Sequence, residues 1–509
     1  MKLNLFLISV CLLGISSWGQ AQRLKEFTKE PDKYFEQLTT WMTTSYEGGQ
    51  NVMDEFQAIW KIENLEIKEQ EKVYKLANHA LKRRMKAIGD SVSFTYGPTT
   101  QKLTDGQIEF VYETSNAMLK KRLKPSPHFR DYLLTLINLT TTGQSEVSFS
   151  AWQKSLNKLI ETARSRKIVA YLDFSNKLFA QDVLYKSNSV TWAAGNRNYS
   201  FEFDSLPKIV FQKVDLKCYS KGDSSIIYGT SGAYYPTSKL WVGKGGKVTW
   251  LRCDVDEKIV RATLSNYKIP LKSASFIADS VIFYNTNYFD KPLQGILNDK
   301  LKANVSAKNA SYPRFDSYDK RLQINNLFDK VDYDGGFSMQ GAKLIGSGSK
   351  EEDAYVTFKL YFENDSIKRN QERFLVVASK SFVIDINGIK SHKAAVTFYL
   401  DEDSVHHPQL QMKLIIKKAG DKIISRQLVL IREDKGLARS PYFNTYHEID
   451  MNFEALYWDI DHPRMEFKRL KGIGSESKAD FESTDYYRKN RYERIQGMDP
   501  VHPLVELRQ

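Results

Sequence analysis

The spacing of apolar residues changes near residue 185, and this change constrains the fold more than any other feature of the chain. Upstream, apolar residues recur every three or four positions, as in Tyr34 and Leu38. Downstream they recur at every second position, as in Val214, Leu216 and Cys218. The first period is typical of amphipathic helices and the second of half-buried strands. We therefore predict an α+β chain, with an N-terminal helical bundle followed by a mainly β region.

The helical part, 23–180, contains several apolar stripes. Pro31 suits the first turn of a helix. Asp105 is a candidate N-terminal cap, and Ser150 is another, ahead of the stripe that begins at Trp152. The clearest stripes cover 73–81 and 152–163. Because each stripe needs a partner surface, a small bundle is the simplest arrangement.

Turn signals divide the β region into short strands. Asn387-Gly388 and Gly420-Asp421 each lie between two alternating runs, which predicts a hairpin at each place. Further turn signals occur at Lys221-Gly222-Asp223 and at 243–247. Such spacing indicates an extended all-β region, with antiparallel pairing after residue 350.

Two architectures remain open for residues 185–345. Val190-Thr191-Trp192 recurs as Val248-Thr249-Trp250, and this separation matches about three coils of a solenoid with about 20 residues per coil. The repeat favours a β-solenoid resembling a parallel β-helix, whereas the strand spacing fits a β-sandwich equally well. The predicted segments are a signal peptide (1–21), a helical domain (22–180), a β-solenoid-like domain (185–345), an antiparallel β domain (346–471), and a linker with a basic aromatic tail (472–509).

The N-terminus has the pattern of an export signal. Lys2 precedes an apolar stretch from Leu3 to Ile15, and Gly19-Gln20-Ala21 fits the small-x-small rule for cleavage. The stretch is too short to span a bilayer. We expect export to the periplasm, the outer surface or the medium, with cleavage after Ala21 and no transmembrane segment in the mature chain.

The net charge of the chain restricts the classes of partner that an exported protein of this kind would bind. The formal net charge is +13, and it becomes +12 when Lys2 is removed with the signal. Export makes nucleic acid an improbable partner, so we expect anionic envelope glycans or other surface proteins. Export also removes Cys11 and leaves Cys218 and Cys253. In an oxidising compartment these two could form a disulfide, or both could be buried thiols.

Two sequence runs of the β region resemble segments of a known group of proteins. The runs Gly243-Lys244-Gly245-Gly246-Lys247-Val248-Thr249-Trp250 and Asp279-Ser280-Val281-Ile282-Phe283-Tyr284-Asn285, behind a signal peptide and a helical region, resemble large exported bacterial proteins of unknown function. The resemblance covers 185–509. It implies a solenoid-like body and a chain that continues beyond residue 509, so that this sequence would be a truncated member. It carries no catalytic motif.

Strong catalytic motifs are absent from the sequence. There is no P-loop, no His-Glu-x-x-His, no Cys-x-x-Cys and no Gly-x-Ser-x-Gly. The run Asp401-Glu402-Asp403-Ser404-Val405-His406-His407 is rich in metal-binding residue types. Adjacent histidines on a strand point apart, and Pro408 follows, so we interpret it as a solvated loop. We predict no metal and no cofactor.

One weak candidate site lies near the C-terminus. Glu448 and Asp450 would share one face of a strand about 7 Å apart, within the range of the paired carboxylates of glycoside hydrolysis. Tyr457 and Trp458 could stack on a sugar ring. The simpler interpretation is an amphipathic strand with its polar face in water.

These observations leave two functions open. The first is a non-enzymatic envelope or cell-surface protein that acts as a scaffold, adhesin or binding module. The alternative is a carbohydrate-active enzyme, a polysaccharide hydrolase or lyase, on a β-helix scaffold. The missing catalytic motifs favour the first function, and the carboxylate cluster favours the second.

Overall fold

The computed structural model describes residues 24–60, 102–142, 146–303, 305–364, 367–419, 422–462, 464–468 and 479–484. The chain forms two compact units. Unit 1 comprises Met1–Lys247, Asn266–Phe276 and Leu301–Asn304, and unit 2 comprises Val248–Ser265, Ile277–Lys300 and Val305–Gln509. The predicted five-segment organisation is defined by sequence period rather than by packing, and it stays a prediction.

The α-helices of the described residues all lie in unit 1. Pro31 begins the first of them, as predicted. Thr104 rather than Asp105 caps the third: its hydroxyl accepts from the Gln107 amide, and the Gln107 side chain accepts from the Thr104 amide. Ser150 lies within the fifth helix and is not its cap. The helices are α1 Pro31–Ser45, α2 Gly49–Gln57, α3 Asp105–Lys120, α4 Arg130–Thr141, α5 Glu146–Thr162 and α6 Ser165–Gln181.

Large aromatic side chains fill the interior of the helical region. Trp152 of α5 is fully buried, and its ring packs 6.1 Å from the rings of both Tyr132 and Phe179. Tyr34 of α1 packs 5.2 Å from Trp60. The stripe 152–163 therefore has the partner surface that its period requires. The stripe 73–81 lies outside the described residues.

Strands are the commonest element of the described chain. The mixed helix and strand content confirms the α+β prediction in its broad form. The strands are β1 Val183–Lys186, β2 Thr191–Ala194, β3 Tyr199–Phe203, β4 Pro207–Ser220, β5 Asp223–Tyr235, β6 Leu240–Lys244, β7 Lys247–Thr249, β8 Val260–Thr263, β9 Asn266–Pro270, β10 Ser275–Asn285, β11 Leu293–Lys300, β12 Arg314–Ser317, β13 Leu322–Phe328, β14 Val331–Gln340, β15 Lys343–Ser347, β16 Ala354–Asn364, β17 Ile367–Ser379, β18 Ser381–Asp385, β19 Gly388–Leu400, β20 Asp403–Ala419, β21 Lys422–Ile431, β22 Tyr442–Asn444, β23 Ile449–Asn452, β24 Ala455–Asp459, β25 Met465–Lys468 and β26 Asp480–Ser483.

The strand pairings described between these elements are antiparallel, so a parallel β-helix is not what the structure shows. Tight turns are the physical reason. Ser220 pairs with Asp223 across a two-residue turn, Lys221 and Gly222, whose φ angles are 54° and 81°. A turn of this length reverses the chain, whereas parallel strands need a crossover of a dozen residues or more. The sandwich alternative stays a prediction.

The two copies of the Val-Thr-Trp tripeptide bury their Val and Trp side chains alike but lie in different local structures. Trp192 lies in β2, and its indole N–H donates to the Ser273 carbonyl at 2.9 Å. Trp250 follows β7 and precedes a short 3₁₀ turn. Because β2, which carries the first copy, pairs antiparallel with β4, the two tripeptides do not mark coils of a parallel solenoid.

Both predicted hairpins of unit 2 are present. β18 and β19 pair from Asp385 and Gly388 outward, and β20 and β21 pair from Ala419 and Lys422 outward. Gly388 has a φ of 133°, and a Cβ there would lie 1.9 Å from the Leu414 carbonyl oxygen. Only glycine fits this position. In unit 2 the order β14-β16-β17-β19-β20-β21-β24-β25 forms one continuous run of paired strands.

Candidate functional site

Four strands of unit 2 bring distant parts of the sequence into one row. β22 pairs with the first part of β20, β23 pairs with β22, and β26 pairs with β23. The register places four residues directly opposite one another in succession. This group, which we call the carboxylate row, consists of His406, Phe443, Asp450 and Glu482.

The two carboxylates are the chemical centre of the row. Asp450 of β23 lies opposite Glu482 of β26. Directly opposed residues of antiparallel strands have Cβ atoms about 5 Å apart, and like charges there are unfavourable. Glu482 is exposed and Asp450 is half-buried, so water screens part of this repulsion. The pair could accept hydrogen bonds from a hydroxyl-rich or cationic ligand.

The other half of the row is apolar and aromatic. Phe443 keeps 42% of its surface exposed beside Asp450. His406 is half-buried, its Nδ1 lies 2.9 Å from the Thr397 hydroxyl, and burial lowers its pKa. An exposed ring beside carboxylates can bind the apolar face and the hydroxyls of a sugar, or an apolar side chain of a protein.

Glu448 is not part of the row. It has a left-handed backbone conformation, with φ of 53°, just before β23 begins. Its side chain is exposed, and its carbonyl accepts from the amide and the hydroxyl of Thr484. The strand alternation that would place Glu448 and Asp450 on one face starts only after Glu448. Sequence reasoning missed Glu482, whose only signal was the short alternation Asp480-Phe481-Glu482.

Tyr457 and Trp458 occupy β24. Tyr457 is half-buried. Trp458 is 1% exposed, its indole N–H donates to the His462 carbonyl at 2.9 Å, and its ring packs against Phe358 and Phe374. Its faces are occupied by the core of unit 2, so they are not offered to a ligand.

The histidine run is a strand rather than a solvated loop. Asp403 begins β20, and Pro408 interrupts the pairing of β19 with β20 at an irregularity in the register. His407 is fully buried between the Gln409 amide, which donates to Nδ1 at 3.1 Å, and the Ser440 carbonyl, 2.9 Å from Nε2. These partners hold a neutral imidazole with its proton on Nε2. Burial lowers the pKa of His407 to about 4.

Cys218 and Cys253 are both buried. Cys218 belongs to unit 1, in β4, and Cys253 belongs to unit 2. The Cys253 Sγ lies 3.2 Å from the Tyr312 carbonyl oxygen. The disulfide that the sequence left open stays a prediction.

Within the described ranges no group of three or more His, Cys, Asp or Glu side chains is arranged to hold a metal ion. Among the helices of the same ranges, none is both long enough and apolar enough to cross a bilayer.

Comparison with models of protein families, with curated proteins and with solved structures found no match for this chain.

Proposed function

We propose that the protein is exported and acts without catalysis at the envelope or cell surface, as a scaffold or binding module. The observation that carries this proposal is the outward-facing carboxylate row. Within the row, Phe443 presents an exposed aromatic ring beside two carboxylates. Phe467 and Phe481 are also exposed, at 47% and 51%, but they lie on the alternate face of these strands, where Phe481 is opposite Met451. An exposed aromatic ring beside polar groups is typical of interaction sites.

The charge of the row restricts its partner. Asp450 and Glu482 would repel an acidic polymer, so this face fits a neutral glycan or a surface protein. The net positive charge of the chain supports a second class of partner, anionic envelope glycans, which would bind elsewhere. Export and membership of the suspected bacterial family belong to this proposal and rest on the sequence patterns alone.

Binding of the mature chain, 22–509, to immobilised neutral and acidic envelope polysaccharides and to outer-surface extracts tests the proposal. We expect Phe443→Ser to weaken the interaction about tenfold, since one buried aromatic contact contributes roughly that much. Tyr219→Ser is the matched control, because Tyr219 is 44% exposed and lies in unit 1. Equal binding by both variants, or no binding to any partner, would contradict this role for the row.

A second function, polysaccharide hydrolysis or lysis, is favoured by one observation: Asp450 and Glu482 are directly opposed beside an aromatic ring. Retaining glycosidases hold two carboxyl groups about 5 Å apart. The test is release of new reducing ends from a polysaccharide panel. Loss of cleavage in Asp450→Asn and Glu482→Gln, but not in the neighbouring Glu448→Gln, would replace the scaffold proposal. The β-helix scaffold first associated with this function has no support in the strand pairing.

A further inference from the structure

One hairpin of unit 2 projects beyond the strands on either side of it. The pairing of β19 with β20 ends at Ile415, and the pairing of β24 with β21 begins only at Gln427. Residues 417–419 and 422–425 therefore form a two-stranded ribbon that neither neighbour flanks. Three residues of extended chain give it a length of about 10 Å beyond the sheet. Both faces of this ribbon are exposed.

Isoleucine side chains are concentrated at this end of the sheet. Ile423 is 43% exposed and Ile424 is 65% exposed. The adjacent turn carries Ile386, which is 71% exposed, the highest value among the large apolar side chains of the described residues. The Ile416 amide donates to the Asn387 carbonyl at 2.9 Å, which fixes this turn beside the ribbon. Three exposed isoleucines at one end are more than the scattered apolar residues of an ordinary surface.

Cations surround these isoleucines. Lys417, Lys418 and Lys422 are all exposed on the ribbon. Below the ribbon, Lys390 of β19 lies directly opposite Lys413 of β20, and like charges in this arrangement are unfavourable.

The described acids of this region lie apart from the lysines or already accept hydrogen bonds, and Asp421, which precedes Lys422 in the sequence, lies outside the described residues. The acids from Asp401 to Asp403 lie at the opposite end of β19 and β20. Asp461 and Asp329, near the base of the ribbon, bind Arg426. Asp385 accepts from the Asn387 amide at 2.8 Å.

We propose that this end of unit 2 is a docking site for an anionic phospholipid bilayer. The site, which we call the basic isoleucine tip, consists of Ile386, Lys417, Lys418, Lys422, Ile423 and Ile424. The turn at 420–421 lies outside the described residues and is not part of it. This inference deepens the proposed envelope role and depends on it only for the compartment in which the bilayer is met.

The shape and composition of the tip favour a bilayer over a protein partner. A stable protein interface buries about 800 Å² on each partner, which a narrow ribbon of a few residues does not offer. A bilayer surface accepts isoleucine among its acyl chains while lysine stems extend to phosphate groups at the same depth. The acidic opposite end of the strands would be repelled, so the charge distribution also sets one orientation.

Co-sedimentation of the full mature chain with vesicles tests the inference. One set contains equal parts of phosphatidylglycerol and phosphatidylcholine, and the other contains phosphatidylcholine alone. We expect binding to the anionic set only, weakened by salt. We expect Lys417→Gln with Lys418→Gln to reduce the partition constant about thirtyfold, because each lysine near an anionic surface contributes roughly a fivefold factor. We expect Ile423→Ser with Ile424→Ser to reduce it by about thirtyfold as well.

Matched variants elsewhere in unit 2 complete the design. Ile277→Ser removes an isoleucine that is 62% exposed, and Lys300→Gln with Lys308→Gln removes two exposed lysines. Binding unchanged in these controls and lost in the tip variants would support the inference. Equal binding to both vesicle sets, equal loss in controls and tip variants, or dimers that Ile424→Ser dissociates would overturn it. Polysaccharide binding through Phe443 should persist in the tip variants, so failure of this inference is separable from failure of the proposed function.

Discussion

The helical region and the strand-rich unit 2 bury polar groups in different ways. In the helical region, most buried polar side chains are neutral and hydrogen-bond to one another or to backbone carbonyls, and His128 and Asp131 are the buried ionisable ones among the described residues. In unit 2, ionisable groups are buried, and their partners are carboxylates or backbone atoms. We therefore expect the stability of the helical region to depend on hydrogen-bond complementarity. We expect the stability of unit 2 to depend on charge and pH.

The helical network joins three helices. Thr114 of α3 donates within 3.0 Å of the side-chain oxygens of both Gln153 and Asn157 on α5. The Gln153 amide donates to the Tyr132 hydroxyl of α4 at 3.0 Å. Burial raises the pKa of the Tyr132 hydroxyl, so that the phenol stays neutral. A hydrogen-bond network of this kind specifies how the helices pack. When one member is removed, its buried partners lose a hydrogen bond that water cannot replace.

Arg426 and His407 are two buried ionisable groups of unit 2, and each has its own set of partners. Arg426 of β21 has a side chain that is 7% exposed, and it binds Asp461 through two nitrogens and Asp329 at 2.9 Å. Its hydrogen bonds lower the pKa of Asp461. His407 lies one strand away on β20 and is buried as a neutral ring.

The largest expected effect belongs to Arg426. We expect Arg426→Ala to destabilise unit 2 by about 3 kcal/mol, because it removes a buried cation from two carboxylates and leaves a void between strands. Hydrogen exchange of the β20 and β21 amides measures this locally, since two units need not unfold together. Asp329→Asn is the matched control: Asp329 is 68% exposed, so we expect a loss below about 1 kcal/mol. Equal losses in the two variants would mean that Arg426 is not the centre of this cluster.

His407 predicts the pH dependence of unit 2. Its pKa is lowered to about 4 in the folded state, against about 6.5 when unfolded. The unfolded state therefore binds the proton first, and stability falls as pH decreases from about 6.5 to about 4. The full loss is about 3 kcal/mol, at 1.36 kcal/mol for each pKa unit. Urea unfolding of unit 2 between pH 4 and 7 measures it, and His407→Gln should flatten the profile.

His128, in the helical region, allows a direct comparison with His407 of unit 2. It is also buried, with Nδ1 accepting from the Lys124 amide at 3.3 Å, but its Nε2 lies 2.7 Å from a hydroxyl, that of Ser165. Burial lowers its pKa, so it acts in the same direction as His407. The exposed Ser165 can reorient its hydroxyl, whereas the Ser440 carbonyl beside His407 is fixed. We therefore expect His128→Gln to remove a smaller part of the acid sensitivity, and a larger part would reverse the comparison.

The strands and hairpins could be predicted from sequence because local chemistry determines them. Period-two alternation gives β4 and β16, and the need for glycine at Gly388 gives the β18–β19 turn. The sequence leaves the pairing direction of residues 185–345 open, because the repeated tripeptide favours a solenoid while the turn at Lys221-Gly222 favours the antiparallel pairing that β4 and β5 have. A two-residue turn is the stronger physical constraint, because it reverses the chain whatever the side chains do.

The candidate site was much less predictable. Asp450 and Glu482 are 32 positions apart, so only the pairing of β23 with β26 brings them together. Glu448 was assigned to the strand because alternation cannot reveal a left-handed residue at a strand start. His407 was assigned to solvent because acids precede it and Pro408 follows, yet a register irregularity accommodates the proline and turns the imidazole inward.

The smallest expected effect tests the helical network. Thr114→Val keeps the side-chain shape but removes the donor shared by Gln153 and Asn157. Because Gln153 is fully buried, its oxygen would be left without a donor, at a cost of about 2 kcal/mol. The measurement is urea unfolding followed by hydrogen exchange of the α3 and α5 amides. Thr44→Val, on the exposed side of α1, should change stability by less than about 0.5 kcal/mol.

The pH dependence of the Thr114→Val effect decides whether the two regions really differ. The network contains no group that titrates between pH 4 and 7, so the loss should be the same at both ends of that range, while the His407 contribution disappears across it. A Thr114→Val loss that grew as pH fell would tie the network to His128 and to Asp131, whose pKa is raised by burial. The helical region would then depend on charge as unit 2 does.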